Sequence, residues 1–302
     1  MDDVVGALVV AGGGVLTRAE ALRAGVHDTQ VRRALRAGEL VRAAPGTYLT
    51  TTAHPTPEAA HAARCTAVLR RQGDHISLSH YSVLACAGIP TYRCDLDVVH
   101  LATDRPGGRW RRRGAVVHAL PRGVRPEQRM VPIAVALAQT GLVAGPTSFL
   151  ASADAALRQG LVHLEDIGEA LDLMRRTPGI APVRAAVHRL DPRAESVGES
   201  VARDLLGHLG WATTSQYPVE VAGRRYRADL RVVDGRVLVE FDGMGKYAER
   251  GALAAEKRRE ADLRTAGWEV VRLIWADLRD PGRVAQLVQA AVHRSRRTAR
   301  VS

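Results

Sequence analysis

Asp229, Glu240 and Asp242 flank an Asp234-Gly235 pair, and acids in that arrangement can build a metal-dependent phosphodiester hydrolase. Asp-Gly supports the positive backbone angles of a two-residue hairpin turn, and the residues on either side alternate between apolar and polar. Counting outward, the turn sets Val232 opposite Val237, Arg231 opposite Leu238, Leu230 opposite Val239, Asp229 opposite Glu240, Ala228 opposite Phe241 and Arg227 opposite Asp242. Alternate pairs share a face. Val232, Val237, Leu230, Val239, Ala228 and Phe241 then form a core face, while Asp229, Glu240, Asp242 and Arg227 form a polar one. Carboxylates placed directly opposite one another repel. A divalent cation would compensate, because hard Mg²⁺, with Mn²⁺ as a substitute, takes carboxylate oxygen and activates water for attack on a phosphodiester. The alternative is a solvated face on which Arg227 and Arg231 neutralise the acids.

The hairpin needs neighbours to hold it. From Glu195 the pattern runs helix, strands, helix, strand, helix. Glu195 and Glu199 stand one turn apart and are expected to share a helix face. A strand near Gln216–Val221 follows, then the hairpin, a helix near Leu253–Ala266, a strand at Trp268–Ile274, and a last helix opened by Pro281. This order, with Asp229, Glu240-Phe241-Asp242-Gly243, Lys246-Tyr247, Glu256-Lys257-Arg258-Arg259 and Gly267-Trp268-Glu269-Val270-Val271-Arg272-Leu273, resembles the very-short-patch-repair (Vsr-like) branch of PD-(D/E)XK endonucleases. The resemblance implies a restriction-endonuclease-like domain over residues 195–302 that cuts DNA with Mg²⁺. It implies Asp229, Glu240 and the Phe241 carbonyl as metal ligands, and Glu199, with Glu195 as second choice, as the helix acid. Asp242 stands where the superfamily pattern has lysine. Lys246 takes that lysine's part, with Lys257 as its substitute.

Residues 1–52 have the order of a winged helix-turn-helix. Thr17-Arg18-Ala19-Glu20 reads as a capping box, Ala24-Gly25-Val26 as the turn, and the stretch after Asp28 as a second helix. That helix turns Val31 and Leu35 inward and leaves Gln30, Arg32, Arg33 and Arg36 outside for DNA. Leu40–Arg42 and Thr47–Thr50, joined through Ala44-Pro45-Gly46, make the wing. The order resembles the N-terminal winged helix of AbiEi-like type IV antitoxins, which implies DNA binding and a toxin or defence-system partner. Packing without DNA is the alternative.

Residues 58–190 read as a mixed α/β middle region after a proline-marked linker, Thr52–Pro57. Helices are expected near Glu58–Arg71 and Ser79–Ala87, strands at Leu96–Ala102 and Ala115–Leu120, and further helices from Val131 to Arg189. Arg109, Arg111, Arg112 and Arg113 surround Trp110 between the two strands, as a phosphate grip with a stacking ring or as a solvated hairpin tip. His75, His80, His100 and His118 match no zinc spacing and read as structural histidines. Neither a serine-hydrolase elbow nor a phosphate-binding loop is present.

Composition agrees with a polyanionic partner: the 302 residues carry a formal charge of +11. The overall class is α/β, with three domains. Cys65, Cys86 and Cys94 are odd in number and lack Cys-x-x-Cys spacing, as expected of reduced thiols in a cytoplasmic protein. The apolar run Val4–Val10 is short for a membrane span and follows two acids. A DNA endonuclease and a non-catalytic regulator both remain open, and paired cuts in a duplex would be easiest for a homodimer.

Overall fold

The computed structural model describes residues 3–51, 56–106, 110–112, 114–221, 223–243 and 250–298. Its chain divides into two units, Met1–Ser152 with Leu161–Ala185, and Ala153–Gly160 with Ala186–Ser302. No helix among the described residues is long and apolar enough to cross a membrane.

The first unit opens with α1 (Asp3–Ala11), β1 (Val15–Thr17), α2 (Arg18–Arg23), α3 (Asp28–Arg36), β2 (Leu40–Ala44) and β3 (Thr47–Thr50). The expected capping box starts α2: Thr17 N–H donates to Glu20 Oε2 at 2.8 Å, and Glu20 N–H to Thr17 Oγ1 at 3.2 Å. Val5, Val9, Leu16, Val31, Ala34, Leu40 and Tyr48 form one buried cluster under the three helices. The sheet order is β1-β3-β2. β1 is too short to carry an alternation and was not expected; its antiparallel pairing with β3 closes the wing onto the helices.

α4 (Pro57–Leu69) begins at Thr56, whose Oγ1 accepts Ala59 N–H at 3.1 Å; the rest of the expected linker, 52–55, lies outside the described residues. Ala67 on α4 packs with Val15 and Leu49, so the outer face of the wing sheet is covered by a helix of the middle region. That shared core places the winged helix and the middle region in one unit. Next come β4 (Ile76–Leu78), α5 (His80–Cys86), β5 (Val99–Thr103), β6 (Trp110–Arg112), β7 (Ala115–Ala119), α6 (Ile133–Ala144), α7 (Pro146–Arg158), whose second half from Ala153 belongs to the second unit, α8 (Leu164–Leu173) and α9 (Ile180–Ala186). The sheet order is β4-β5-β7-β6. β5 and β7 run parallel, with Ala102 opposite His118. Within the arginine run, Trp110–Arg112 forms an edge strand antiparallel to β7.

The second unit continues with α10 (Val197–His208), β8 (Thr213–Val221), β9 (Arg224–Val232), β10 (Val237–Phe241), α11 (Arg250–Thr265), β11 (Glu269–Leu273) and α12 (Pro281–Thr298). Its sheet order is β11-β10-β9-β8, with β10 parallel to β11 and the other pairs antiparallel. Val237, Leu238 and Val239 are all fully buried, because both faces of β10 are covered.

Candidate functional site

On the winged helix, α3 leaves Arg32, Arg33 and Arg36 exposed, and Arg42 on β2 is exposed as well. Arg18 grips Asp28 at the start of α3 through two bonds of 2.9 and 2.7 Å. This fork fixes α2 against α3, and the Arg18 guanidinium holds the Asp28 carboxyl below its usual range. Gln30 departs from expectation. It is half-buried, and its Oε1 accepts His27 N–H at 2.8 Å in a second capping box, so it serves the helix start rather than standing outside. Arg33 and Arg36 lie in the last turn, where cations complement the helix dipole while remaining available to phosphate. Of the second basic group, Arg111 is exposed on β6; Arg109 and Arg113 lie outside the described residues, as does the Arg112 side chain.

The hairpin register holds for Val232–Val237, Arg231–Leu238 and Leu230–Val239, and the ladder stops there. The turn differs from expectation: neither Asp234 nor Gly235 has a positive φ, and Val233–Arg236 form a four-residue connection. Gly235 answers instead to space, since a Cβ there would stand 3.1 Å from Ser295 Oγ. Asp229 and Glu240 do not form the expected ladder pair. Asp229 Oδ2 accepts the Phe241 N–H at 2.8 Å, so a carboxylate takes the place of a strand carbonyl where β9 and β10 part. Sidedness also changes at this point. Gln216, the β8 residue that would face Asp229, has φ +52°. Beyond it Tyr217 stacks under Arg231, 4.7 Å from guanidinium to ring centre. Ala228 accordingly joins Leu238, Val219 and Trp268, on the face opposite to the one alternation assigns.

Glu199 is 7% exposed at the start of α10. Its carboxylate accepts Ser196 Oγ–H at 2.9 Å, Glu195 N–H at 2.8 Å and Gln216 Nε2–H at 2.8 Å. Burial raises its pKa, and the nearby Asp229 charge raises it further, against the pull of the Glu195 N–H. Glu195 does not share a helix face with it: Ser196 is the N-cap, Glu195 precedes the helix, and its carboxylate pairs with Arg227 at 2.7 Å. Glu240 is ion-paired with Arg259 of α11, which also donates to Arg227 O at 3.1 Å. Asp242 is half-buried, and its N–H donates to Leu273 O at 2.9 Å. Phe241 packs on α10 at Gly198 and meets Trp275 edge-on at 4.9 Å. Lys246 lies outside the described residues, as does the Lys257 side chain. Asp229 and Glu199 are thus neighbouring acids, whereas Glu240 is held by a cation of the protein.

The middle region brings together residues that the sequence kept apart. One nitrogen from each of His80, His100 and His118 lies within 4.8 Å of the others. His80 and His100 are buried and His118 is half-buried. His118 Nε2 is 2.9 Å from His100 Nδ1. Burial, then His118 and His61, lower the His100 pKa to about 3. Burial and the two neighbouring imidazoles also push His80 well below its usual value. His80 and His100 are therefore neutral at pH 7.

Residues 7–51 match the family described as "Transcriptional regulator, AbiEi antitoxin". This N-terminal domain is AbiEi antitoxin-like. The chain is 32% identical over 150 residues to two proteins of Mycobacterium tuberculosis, the uncharacterized protein MT2308 of strain CDC 1551 / Oshkosh and the uncharacterized protein Rv2248 of strain ATCC 25618 / H37Rv. The match covers 49% of this chain and 55% of each relative, so the chain spans about half the length of the curated relatives it matches. Among solved structures, the catalytic domain of the homing endonuclease I-Bth0305I aligns at 17% identity and a TM-score of 0.25, over 30% of this chain and 89% of that one. The Rv2827c protein of M. tuberculosis aligns at 16% identity and a TM-score of 0.33, over 61% and 81%. At these scores neither likeness bears on function.

Sequence reading gave no role to Arg42, placed Arg259 only within a basic motif without its partner, and took the three histidines as structural and separate. Arg42 lies within β2, and an arginine in a wing strand is a signal open to view. Arg259 sits in a basic stretch whose partner, Glu240, is set by how α11 crosses the sheet. No local pattern encodes that crossing.

Proposed function

We propose that the protein is a DNA-binding transcriptional regulator of the AbiEi antitoxin type, positioned on duplex DNA by α3 and the wing. The observation that carries this reading is the row of exposed arginines, Arg32, Arg33 and Arg36, on α3 of a domain that matches that family. Guanidinium groups there would meet phosphate and set the register of the helix, with Arg42 following the wing along the backbone. Antitoxin-type regulation entails a toxin or defence-system partner, which copurification with the neighbouring gene product would reveal.

Anisotropy titrations with duplexes from upstream of its own coding region test the reading. Replacing Arg32 and Arg33 by alanine is expected to weaken binding and to reduce the slope of log K against log salt by about 2, roughly 0.9 for each phosphate no longer neutralised. A slope identical to that of the wild type would place the DNA-binding surface elsewhere.

A specific observation favours a second reading, in which the C-terminal unit is a Vsr-like PD-(D/E)XK endonuclease. Asp229 interrupts the β9–β10 ladder beside Glu199, and two acids set close together in a half-buried place invite a cation. Oxygen donors fit a hard ion, and Asp229, Glu240 and the Phe241 carbonyl would hold Mg²⁺, or Mn²⁺ in its stead, once Glu240 is released from Arg259. The bound ion would supply Lewis acidity and an activated water. Glu199 would orient that water, Asp242 would fix Lys246, and Lys246 would stabilise charge on the phosphate. Plasmid incubated with Mg²⁺, Mn²⁺ or EDTA is expected to be cut only with metal. Asp229→Ala would slow cutting about a thousandfold, equivalent to several kcal/mol of lost stabilisation, and leave DNA affinity intact. Equal cutting by the variant would remove Asp229 from the site.

A further inference from the structure

We infer that His80, His100 and His118 form a binding site for a divalent transition-metal ion of borderline softness, with Zn²⁺ the foremost candidate. The site belongs to the first unit and is independent of the function proposed above.

Three elements converge to make it. β5 and β7 run parallel with Ala102 opposite His118, so His100 and His118 are diagonal neighbours on one face of the sheet. β4 pairs antiparallel with β5, and at its end the Ser79 N–H donates to His100 O at 3.0 Å, which delivers the next residue, His80, over that face. His80 adopts φ +53°, a left-handed conformation in which His is among the less disfavoured side chains. Gln139 holds it there by accepting the His80 N–H at 3.2 Å. The backbone is thus bent, and tied down, at the residue whose ring completes the trio.

The donor chemistry suits the ion. Imidazole nitrogen is a preferred ligand of Zn²⁺, Cu²⁺ and Ni²⁺ and a poor one for Mg²⁺. His118 Nε2 and His100 Nδ1 face each other at 2.9 Å. Nitrogens that share a tetrahedral Zn²⁺ at ~2.0–2.1 Å stand about 3.3 Å apart, so this pair need open by only about half an ångström. The whole trio lies within 4.8 Å, and closing it onto one ion asks for ring rotations that shift the nitrogens by about 1–1.5 Å. Supporting partners are in place. His80 Nδ1 lies 2.9 Å from Ser79 Oγ, an arrangement that leaves Nε2 for the metal, and Ser82 Oγ accepts the backbone N–H of His100 at 2.8 Å, which anchors the strand that carries that ring. Three protein ligands leave the fourth position of a tetrahedral ion open to water or an anionic ligand on the half-buried His118 side.

The test uses full-length protein stripped with EDTA, titrated with Zn²⁺ by calorimetry and with Co²⁺ by visible absorption. We expect one ion per chain and Co²⁺ ligand-field bands of a four- or five-coordinate nitrogen and oxygen site. Because His118 is only half-buried, His118→Gln is the ligand variant least disruptive to the fold. It should weaken both ions at least ~100-fold, the upper range seen when a mere supporting partner is removed, with an unchanged circular dichroism spectrum. Asp229→Ala should bind Zn²⁺ as the wild type does. An octahedral, water-like Co²⁺ spectrum would overturn the proposal, as would intense thiolate charge transfer pointing to Cys65 and Cys86, which neighbour each other. So would Zn²⁺ affinity that survives His118→Gln but falls in Asp229→Ala.

Discussion

Asp154→Ala is expected to destabilise the second unit by about 3–5 kcal/mol, the cost of leaving one partner of a buried ion pair alone. Asp154 is 1% exposed. Its carboxylate accepts Arg203 Nη2–H at 2.6 Å, Ser200 Oγ–H at 2.7 Å and Asp191 N–H at 2.7 Å. It therefore ties the segment Ala153–Gly160 to α10 and to the chain entering it. Arg203, whose side chain is 10% exposed, also donates to Arg189 O. Removing the carboxylate strands a cation and two further donors at once. Burial outweighs the pull of Arg203 and raises the Asp154 pKa to about 6, so the pair contributes little net stability over an apolar substitute. The double variant Asp154→Leu/Arg203→Met should accordingly recover most of the loss, although either change alone should not. Trp211, Trp268 and Trp275 belong to the second unit and only Trp110 to the first, so tryptophan fluorescence in a urea titration reads the relevant transition. A cost below about 1 kcal/mol for Asp154→Ala would show that water reaches the pair.

The β9–β10 register was legible because the four-residue connection Val233–Arg236 has the same centre, Asp234-Gly235, as the expected two-residue turn, so the pairs counted outward from it are unchanged. Val232–Val237, Arg231–Leu238 and Leu230–Val239 pair as counted, even though Asp234 and Gly235 do not adopt the positive angles that suggested the turn. The reading failed at the next residue along. Gln216 takes a left-handed φ that propensity assigns to glycine or asparagine, and the sidedness of β8 and β9 changes there. A period-2 argument has no means of anticipating a single reversed residue. That reversed residue stands opposite Asp229, where the β9–β10 ladder ends.

The histidines were hidden for a different reason. Zinc spacing rules describe ligands brought together by one turn or one helix, whereas His80, His100 and His118 meet through a parallel strand pair and the end of a third strand. Parallel pairing joins residues that the chain separates by a crossover, so only the sheet order β4-β5-β7-β6 reveals the cluster. β1, β4 and β6 have three residues each, too few for any periodic signal. By contrast, α2, α3 and the wing strands were legible because capping residues and turn glycines declare helix starts and turns locally.

Gly198→Ala sets two effects of opposite sign against each other, and their magnitudes decide the outcome. Alanine is the better helix former by about 0.8–1.0 kcal/mol, so on an open helix face the change would stabilise α10. Here the new Cβ would stand 2.0, 2.2 and 2.4 Å from Cε1, Cδ1 and Cζ of Phe241, separations that no rotamer of alanine can relieve. The ring must leave its edge-on packing against Trp275 or push α10 away. Overpacking of that kind costs about 1–3 kcal/mol and occasionally more. The steric term exceeds the propensity gain, and net destabilisation of about 1–2 kcal/mol is expected in the same urea titration, with altered Trp275 emission. The displacement would also disturb the Phe241 N–H held by Asp229, so any metal-dependent cutting should fall together with stability. Gly198→Ala/Phe241→Leu removes the ring edge and should regain stability. A single Gly198→Ala variant more stable than the wild type would mean that Phe241 does not pack on α10 in solution.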